Sequence, residues 1–139
     1  MRTAAVLTIS DSSARGERAD HSGPATVALL RQEGFDVIRL EIVADDRPTI
    51  ESALVRLSDE AQLIVTTGGT GIAERDVTPE ATRAVCSKLI EGIPERMRSE
   101  GMASTSNAIL SRGVCGVRER TLILNLPGSP TGHRSRCWP

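Results

Sequence analysis

The stretch Thr66-Thr67-Gly68-Gly69-Thr70-Gly71 carries the strongest chemical signal in this 139-residue chain. Three glycines between an apolar run and a helix start let the backbone turn sharply and aim its amides at an anion, for which phosphate is the natural guest. A tight turn with no ligand is the competing reading. Two named phosphate motifs are excluded: Glu74 stands where the dinucleotide fingerprint needs its third glycine, and no Lys-Ser/Thr pair follows the glycines as a P-loop requires. Asp76 lies between this loop and Thr78-Pro79-Glu80, which reads as the cap and first turn of a helix. Its carboxylate either serves the helix dipole, worth roughly 0.3–1 kcal/mol, or ligates Mg²⁺ beside a bound phosphate. Asp45 and Asp46 pose the same choice at an earlier helix. Asp46, nearer Pro48, is assigned the cap, which leaves Asp45 to face a ligand. One carboxylate from each of two strand ends suits a magnesium ion that keeps several waters and is otherwise held by substrate phosphates.

These residues need elements to position them. Residues 4–9 form a short continuous apolar run, as expected of a strand buried on both faces. Ser22-Gly23-Pro24 starts a helix with Ala25, Ala28, Leu29 and Gln32 at helical spacing, and Gly34 stops it. A strand over 35–43 follows, then a helix with Ile50, Ala53, Leu54, Leu57 and Ala61 on one stripe, then a strand at 63–67. The helix after the glycine loop is expected to turn Ala81, Ala84, Val85 and Leu89 inward. Residues 93–102 suggest another helix, 106–116 yield no assignment, and 121–126 form a last strand. This alternation predicts a three-layer α/β fold, with a mostly parallel sheet covered by helices on both faces. Ligands of such sheets bind beyond the carboxyl ends of the strands. Ser10 and Asp11, Asp45 and Asp46, the 68–76 loop, and Pro127, Gly128 and Ser129 should therefore converge on one edge.

Composition limits the partners. Aromatic content of 1% leaves no stacking platform for single-stranded nucleic acid, and a net charge of -1 with pI near 6.1 gives no electrostatic footprint for a duplex or an anionic membrane. Cys86, Cys115 and Cys137 are odd in number and widely spaced, so neither a disulfide framework nor, with His21 and His133 far apart, a zinc site is suggested. The first apolar run is too short for a membrane span, and the polar turn after it is no signal cleavage site. Small-molecule chemistry in a reducing cytoplasm is the expectation.

Thr67-Gly68-Gly69-Thr70-Gly71, followed by Asp76-Val77-Thr78-Pro79-Glu80-Ala81-Thr82, resembles the signature of the molybdopterin adenylyltransferases of the MoaB/MogA group. Ile9-Ser10-Asp11, Val43-Ala44-Asp45-Asp46 and Ile93-Pro94-Glu95-Arg96-Met97-Arg98 are similar to further family segments. So are Ala108-Ile109-Leu110-Ser111-Arg112 and the run from Leu122 to Pro130. The resemblance extends over residues 4 to 132. It implies an enzyme that uses ATP, molybdopterin and Mg²⁺, in which Asp45 and Asp76 are the catalytic, metal-linked carboxylates. It further implies that Gly68, Gly69, Thr70, Gly71, Gly128 and Ser129 bind the phosphate-bearing ligand and that Ser111 contributes to pterin binding. Ser10, Asp11, Thr67 and Pro127 belong to the same crevice. Arg112 is either a phosphate partner or an exposed structural arginine. A homotrimer or dimer of trimers and a molybdenum insertase acting downstream are also implied. A non-catalytic pterin- or nucleotide-binding module of the same fold is the alternative, but a pure binder of anions gains nothing from two unpaired carboxylates. The family continues after Ser129-Pro130 into a long helix, whereas residues 131–139 here have no apolar stripe. The expectation is one domain over 1–132 and an atypical tail over 133–139, with that helix missing and Trp138 outside the core.

Overall fold

The computed structural model describes residues 2–102 and 106–127. Strand β1 (Thr3–Ile9) is buried from Ala4 to Ile9, because β2 (Asp36–Val43) and β3 (Leu63–Thr67) flank it in parallel and helices cover both of its faces. Beyond β3 lies β6 (Thr121–Leu126), again parallel. The sheet then continues antiparallel through β5 (Cys115–Arg118) and the two-residue β4 (Lys88–Leu89), giving the order β2-β1-β3-β6-β5-β4. The expected mostly parallel sheet is present. The antiparallel edge is an addition that the sequence reading did not contain.

Alternation along β1 sorts the core into two layers. Ala5, Leu7 and Ile9 face α3 (Arg47–Ser58) and α4 (Thr78–Val85), packing with Ile50, Leu54, Leu57, Ile64, Ala81 and Ile123. Ala4 and Val6 face α2 (Ser22–Gln32) and α5 (Gly92–Gly101), packing with Val27, Leu30, Val65, Met97 and Leu126. Complete burial of each Leu or Ile in the first layer contributes about 1.5–3 kcal/mol. Asp46 caps α3 as expected, its carboxylate accepting from the Thr49 amide at 3.1 Å, and all five residues of the predicted α3 stripe are buried.

Three local expectations are corrected. Helix α2 turns the opposite stripe inward: Ser22, Gly23, Thr26, Val27 and Leu30 are buried, while Ala25, Ala28, Leu29 and Gln32 are exposed. The inward positions are part polar, and their hydroxyls are bonded: Thr26 Oγ1 donates to the Ser22 carbonyl at 2.8 Å, and Ser22 Oγ bonds Thr67 Oγ1 of β3 at 2.9 Å. In α4 only Ala81 of the predicted inner set is buried; Val85 is half-buried, Ala84 is exposed, and Leu89 has left the helix for β4. Thr78 is not the cap of α4. Val77 takes that position without a side-chain bond, and Thr78 Oγ1 instead donates to the Gly68 carbonyl at 3.0 Å. Gly128, Ser129 and the tail including Trp138 lie outside the described residues.

Candidate active site

The carboxyl ends of β1, β3 and β6 open into a cleft of ≈ 640 Å³. Ser10, Asp45, the glycine loop, Asp76 and Pro127 all line it, so the segments expected to converge do so. Leaving β3, the chain must reverse tightly. The Gly68 amide still belongs to the sheet, donating to the Leu126 carbonyl at 3.0 Å, and then Gly68 and Gly69 adopt φ of 103° and 70°. Only glycine takes such angles without strain. A Cβ would also collide with the Ile9 carbonyl oxygen at Gly68 and with Thr78 Oγ1 at Gly69. Thr78 closes the turn, its amide donating to the Gly69 carbonyl at 3.2 Å. The amides of Gly69, Thr70 and Gly71 find no acceptor among the described residues. Three successive amides without an acceptor among the described residues, on a loop that lines the cleft, suit an anion.

Two carboxylates flank those amides. Asp45 Oδ1 lies 3.2 Å from where a Cβ on Gly69 would stand, and Asp76 Oδ2 lies 2.8 Å from the equivalent point on Gly71. Asp45 Oδ2 accepts the Asp11 amide at 3.0 Å, and Asp76 Oδ2 accepts the Ala73 amide at 3.0 Å. The second oxygen of each carboxylate has no donor among the described residues. Burial raises the Asp45 carboxyl above its ordinary value, and the like charges of Asp11 and Asp76 push the same way against the Asp11 amide bond and Arg75. No group of three or more His, Cys, Asp or Glu is placed to hold a metal ion among the described residues. A cation here would therefore have two protein carboxylates and would draw its remaining ligands from water and a phosphate-bearing guest, a donor set that Mg²⁺ accepts.

Arg112 and Asp11 line neither wall of the cleft. Arg112 donates to the Gly71 carbonyl at 2.8 Å, to the Asp76 carbonyl at 2.7 Å and to Glu80 at 2.7 Å, so its guanidinium staples the loop. Asp11 binds Arg75 and the Asp45 amide; the Arg75 guanidinium, followed by the Asp45 amide, holds its carboxyl below the ordinary range. Thr67 and Ser111 do line the cleft. Thr67 Oγ1 bonds Ser22 Oγ at 2.9 Å, and Ser111 follows a 3-10 turn (Ser106–Leu110).

Several lining residues escaped the sequence reading. Asp20 accepts from Thr8 Oγ1 at 2.8 Å and from the Gly23 amide at 3.0 Å, tying β1 to the start of α2. Its place just before Ser22-Gly23-Pro24 was the available signal. Asn125 bonds Thr66 and Thr82 at 3.0 Å each and accepts the Val114 amide at 3.1 Å, locking three segments beneath the loop. Arg98 and Met97 bring α5 to the far wall, with a cation and an apolar surface respectively. Nothing local marks the last three.

Comparison with known proteins follows this geometry. The family described as "Probable molybdopterin binding domain" matches residues 5–136. A molybdopterin adenylyltransferase of Helicobacter pylori is 45% identical over 133 residues, covering 93% of this chain and 76% of that protein. One from Haemophilus influenzae is 43% identical over 129 residues, covering 90% and 66% respectively. The crystal structure of the molybdopterin biosynthesis enzyme MoaB from Thermus thermophilus superposes with a TM-score of 0.89 at 47% identity, covering 97% of this chain and 86% of that one.

Proposed function

The chain belongs to the molybdopterin-binding domain family, and from that membership we propose that it is a molybdopterin adenylyltransferase of molybdenum cofactor biosynthesis. The observation that carries the proposal is the run of Gly69, Thr70 and Gly71 amides, without acceptors among the described residues, set beside two carboxylates that each have one oxygen without a donor among those residues. In the reaction, an oxygen of the terminal phosphate of molybdopterin bonds to the α-phosphorus of ATP. The bond from that phosphorus to the bridging oxygen breaks, and pyrophosphate leaves. The nucleophile is already largely ionised at neutral pH, since the second pKa of a phosphate monoester is about 6, so no strong general base is required.

What remains for the protein is alignment and charge control. The loop amides would hold phosphate oxygens in fixed directions, and the missing side chains of Gly69 and Gly71 leave room for Thr78 Oγ1 and for the Asp45 and Asp76 carboxylates to stand against the loop. Asp45 and Asp76 would hold Mg²⁺, which, when bound, offsets negative charge on the phosphates. Thr78 and Arg112 keep the loop in shape. Met97, Pro94 and Leu110 offer an apolar wall for the flat part of a ligand. The same proposal assigns Ser111 to the pterin and Gly128 and Ser129 to phosphate. It includes a homotrimer or dimer of trimers working in the cytoplasm and passing product to a molybdenum insertase. Among the described residues no helix is long and apolar enough to cross a membrane. A non-catalytic binding module is the less favoured reading, because repelling carboxylates beside an anion site weaken simple binding.

Incubation with ATP, Mg²⁺ and molybdopterin tests the proposal. Adenylylated molybdopterin and pyrophosphate should appear in equal amounts. Binding of both substrates without either product would place the chain among the binding modules.

A further inference from the structure

Asp45 and Asp76 reach the cleft on separate segments, one on the turn after β2 and one on the loop after β3, and neither carboxylate bonds the other. Something must fix their separation. Asp76 is locked within its own loop, accepting the Ala73 amide through Oδ2 and donating its amide to the Ala73 carbonyl at 3.0 Å. Arg75 belongs to the same short turn. Its Nε donates to Asp11 Oδ2 at 3.0 Å, and its Nη2 donates to Oδ1 at 2.8 Å and to Oδ2 at 2.7 Å. Asp11 in turn is joined to Asp45 in both directions: Oδ1 accepts the Asp45 amide at 2.9 Å, and the Asp11 amide donates to Asp45 Oδ2 at 3.0 Å. We propose that Arg75 and Asp11 form a latch that registers the loop bearing Asp76 against the turn bearing Asp45, making both of them positioning residues for adenylyl transfer.

Exposure separates this role from a stabilising one. The side chains of Arg75 and Asp11 are 65% and 23% exposed, and a pair so open to water adds little to global stability. Its forked geometry does restrict orientation. Arg112 holds the loop through the Gly71 and Asp76 carbonyls, and the latch adds the tie from the loop to the segments that follow β1 and β2.

The inference rests on the proposed function for its kinetic arm alone, and amide hydrogen exchange on the ligand-free protein tests it separately. In Arg75→Ala, exchange in peptides spanning 71–77 and 43–47 should speed up about tenfold while the remaining sheet peptides stay unchanged. In the transfer assay, Arg75→Ala and Asp11→Asn should each lower kcat by about tenfold to a hundredfold, with KM for ATP and molybdopterin within about threefold. Arg75→Lys should restore part of the loss. The double variant should be no slower than Arg75→Ala, because both substitutions open the same latch. Unchanged exchange in Arg75→Ala would overturn the inference. So would losses that multiply in the double variant, or a raised KM with intact kcat, which would make Arg75 a substrate contact. If the unaltered protein forms no adenylylated pterin, the proposed function falls and the exchange result still decides the latch.

Discussion

Replacing Gly69 by alanine should damage stability and transfer together, and the structure allows the first effect to be sized. At a φ of 70° a Cβ costs about 1–2 kcal/mol in backbone strain. The same Cβ would strike Thr78 Oγ1, whose hydroxyl is fully buried and donates to the Gly68 carbonyl. Losing that bond costs about 1 kcal/mol more. A destabilisation of about 2–3 kcal/mol corresponds, in a domain of this size, to a melting temperature lower by about 6–12 °C. The chain has no Tyr and a single Trp, outside the described residues, so far-ultraviolet circular dichroism is the suitable readout. Gly71→Ala supplies the contrast. Gly71 has no positive φ, but its Cβ would stand 2.8 Å from Asp76 Oδ2 and displace that carboxylate. It should melt within about 3 °C of the parent, a cost of under about 1 kcal/mol, while losing transfer. If Gly69→Ala melted within about 2 °C of the parent, the reading of this turn as a glycine-dependent conformation would be refuted.

Three further outcomes follow from the same geometry. Asp45→Asn should raise the melting temperature, because it removes a charge penalised by burial and by Asp11 and Asp76. With the folded pKa above the unfolded one, Asp45 costs stability only where it is ionised, so this advantage should shrink as pH falls through the folded value; an advantage that grows toward acid would contradict the sign. Arg112→Ala removes bonds to the Gly71 and Asp76 carbonyls and to Glu80, and should cost about 2 kcal/mol in urea titration with transfer about a hundredfold slower. Arg112→Lys should recover little, since an ammonium cannot span three acceptors, and full recovery would reduce the staple to a charge effect. Asn125→Leu leaves the Val114 amide and two threonine hydroxyls without their partner in a 3% exposed position and should cost about 3 kcal/mol or more; a loss under about 1 kcal/mol would mean that water replaces the amide.

The parallel half of the fold was legible because its central strands are short apolar runs and α3 carries an unmixed stripe with an Asp-x-Pro start. Helix α2 was not. Its buried face includes Ser22, Gly23 and Thr26, whose polar groups are satisfied within the helix start or, for Ser22, by Thr67 of β3, so hydrophobic periodicity pointed to the wrong side. The β5–β6 hairpin turns through Glu119 and Arg120, with Glu119 at a φ of 53° and none of the Asn-Gly chemistry that marks such turns. The glycine loop and its acidic neighbours were readable as types at the ends of strands, which the sheet necessarily gathers on one edge. What sequence could not show is which polar groups spend themselves on one another. Arg112 leaves its two readings open until Gly71, Asp76 and Glu80 are seen around it, and Asp11 gives no sign in sequence of its bond to Arg75, 64 positions away.

The central claim is that Asp45 and Asp76 act in the transfer step and not in holding the pterin. Single-turnover formation of adenylylated molybdopterin, measured alongside equilibrium molybdopterin binding for the parent, Asp45→Asn and Asp76→Asn, tests it directly. Each variant should bind the pterin within about threefold of the parent and form product at least about a hundredfold more slowly, since the lost charge compensation matters most as charge redistributes in the transition state. Product formation at the parental rate, or a slower rate explained wholly by weaker pterin binding, would contradict the account.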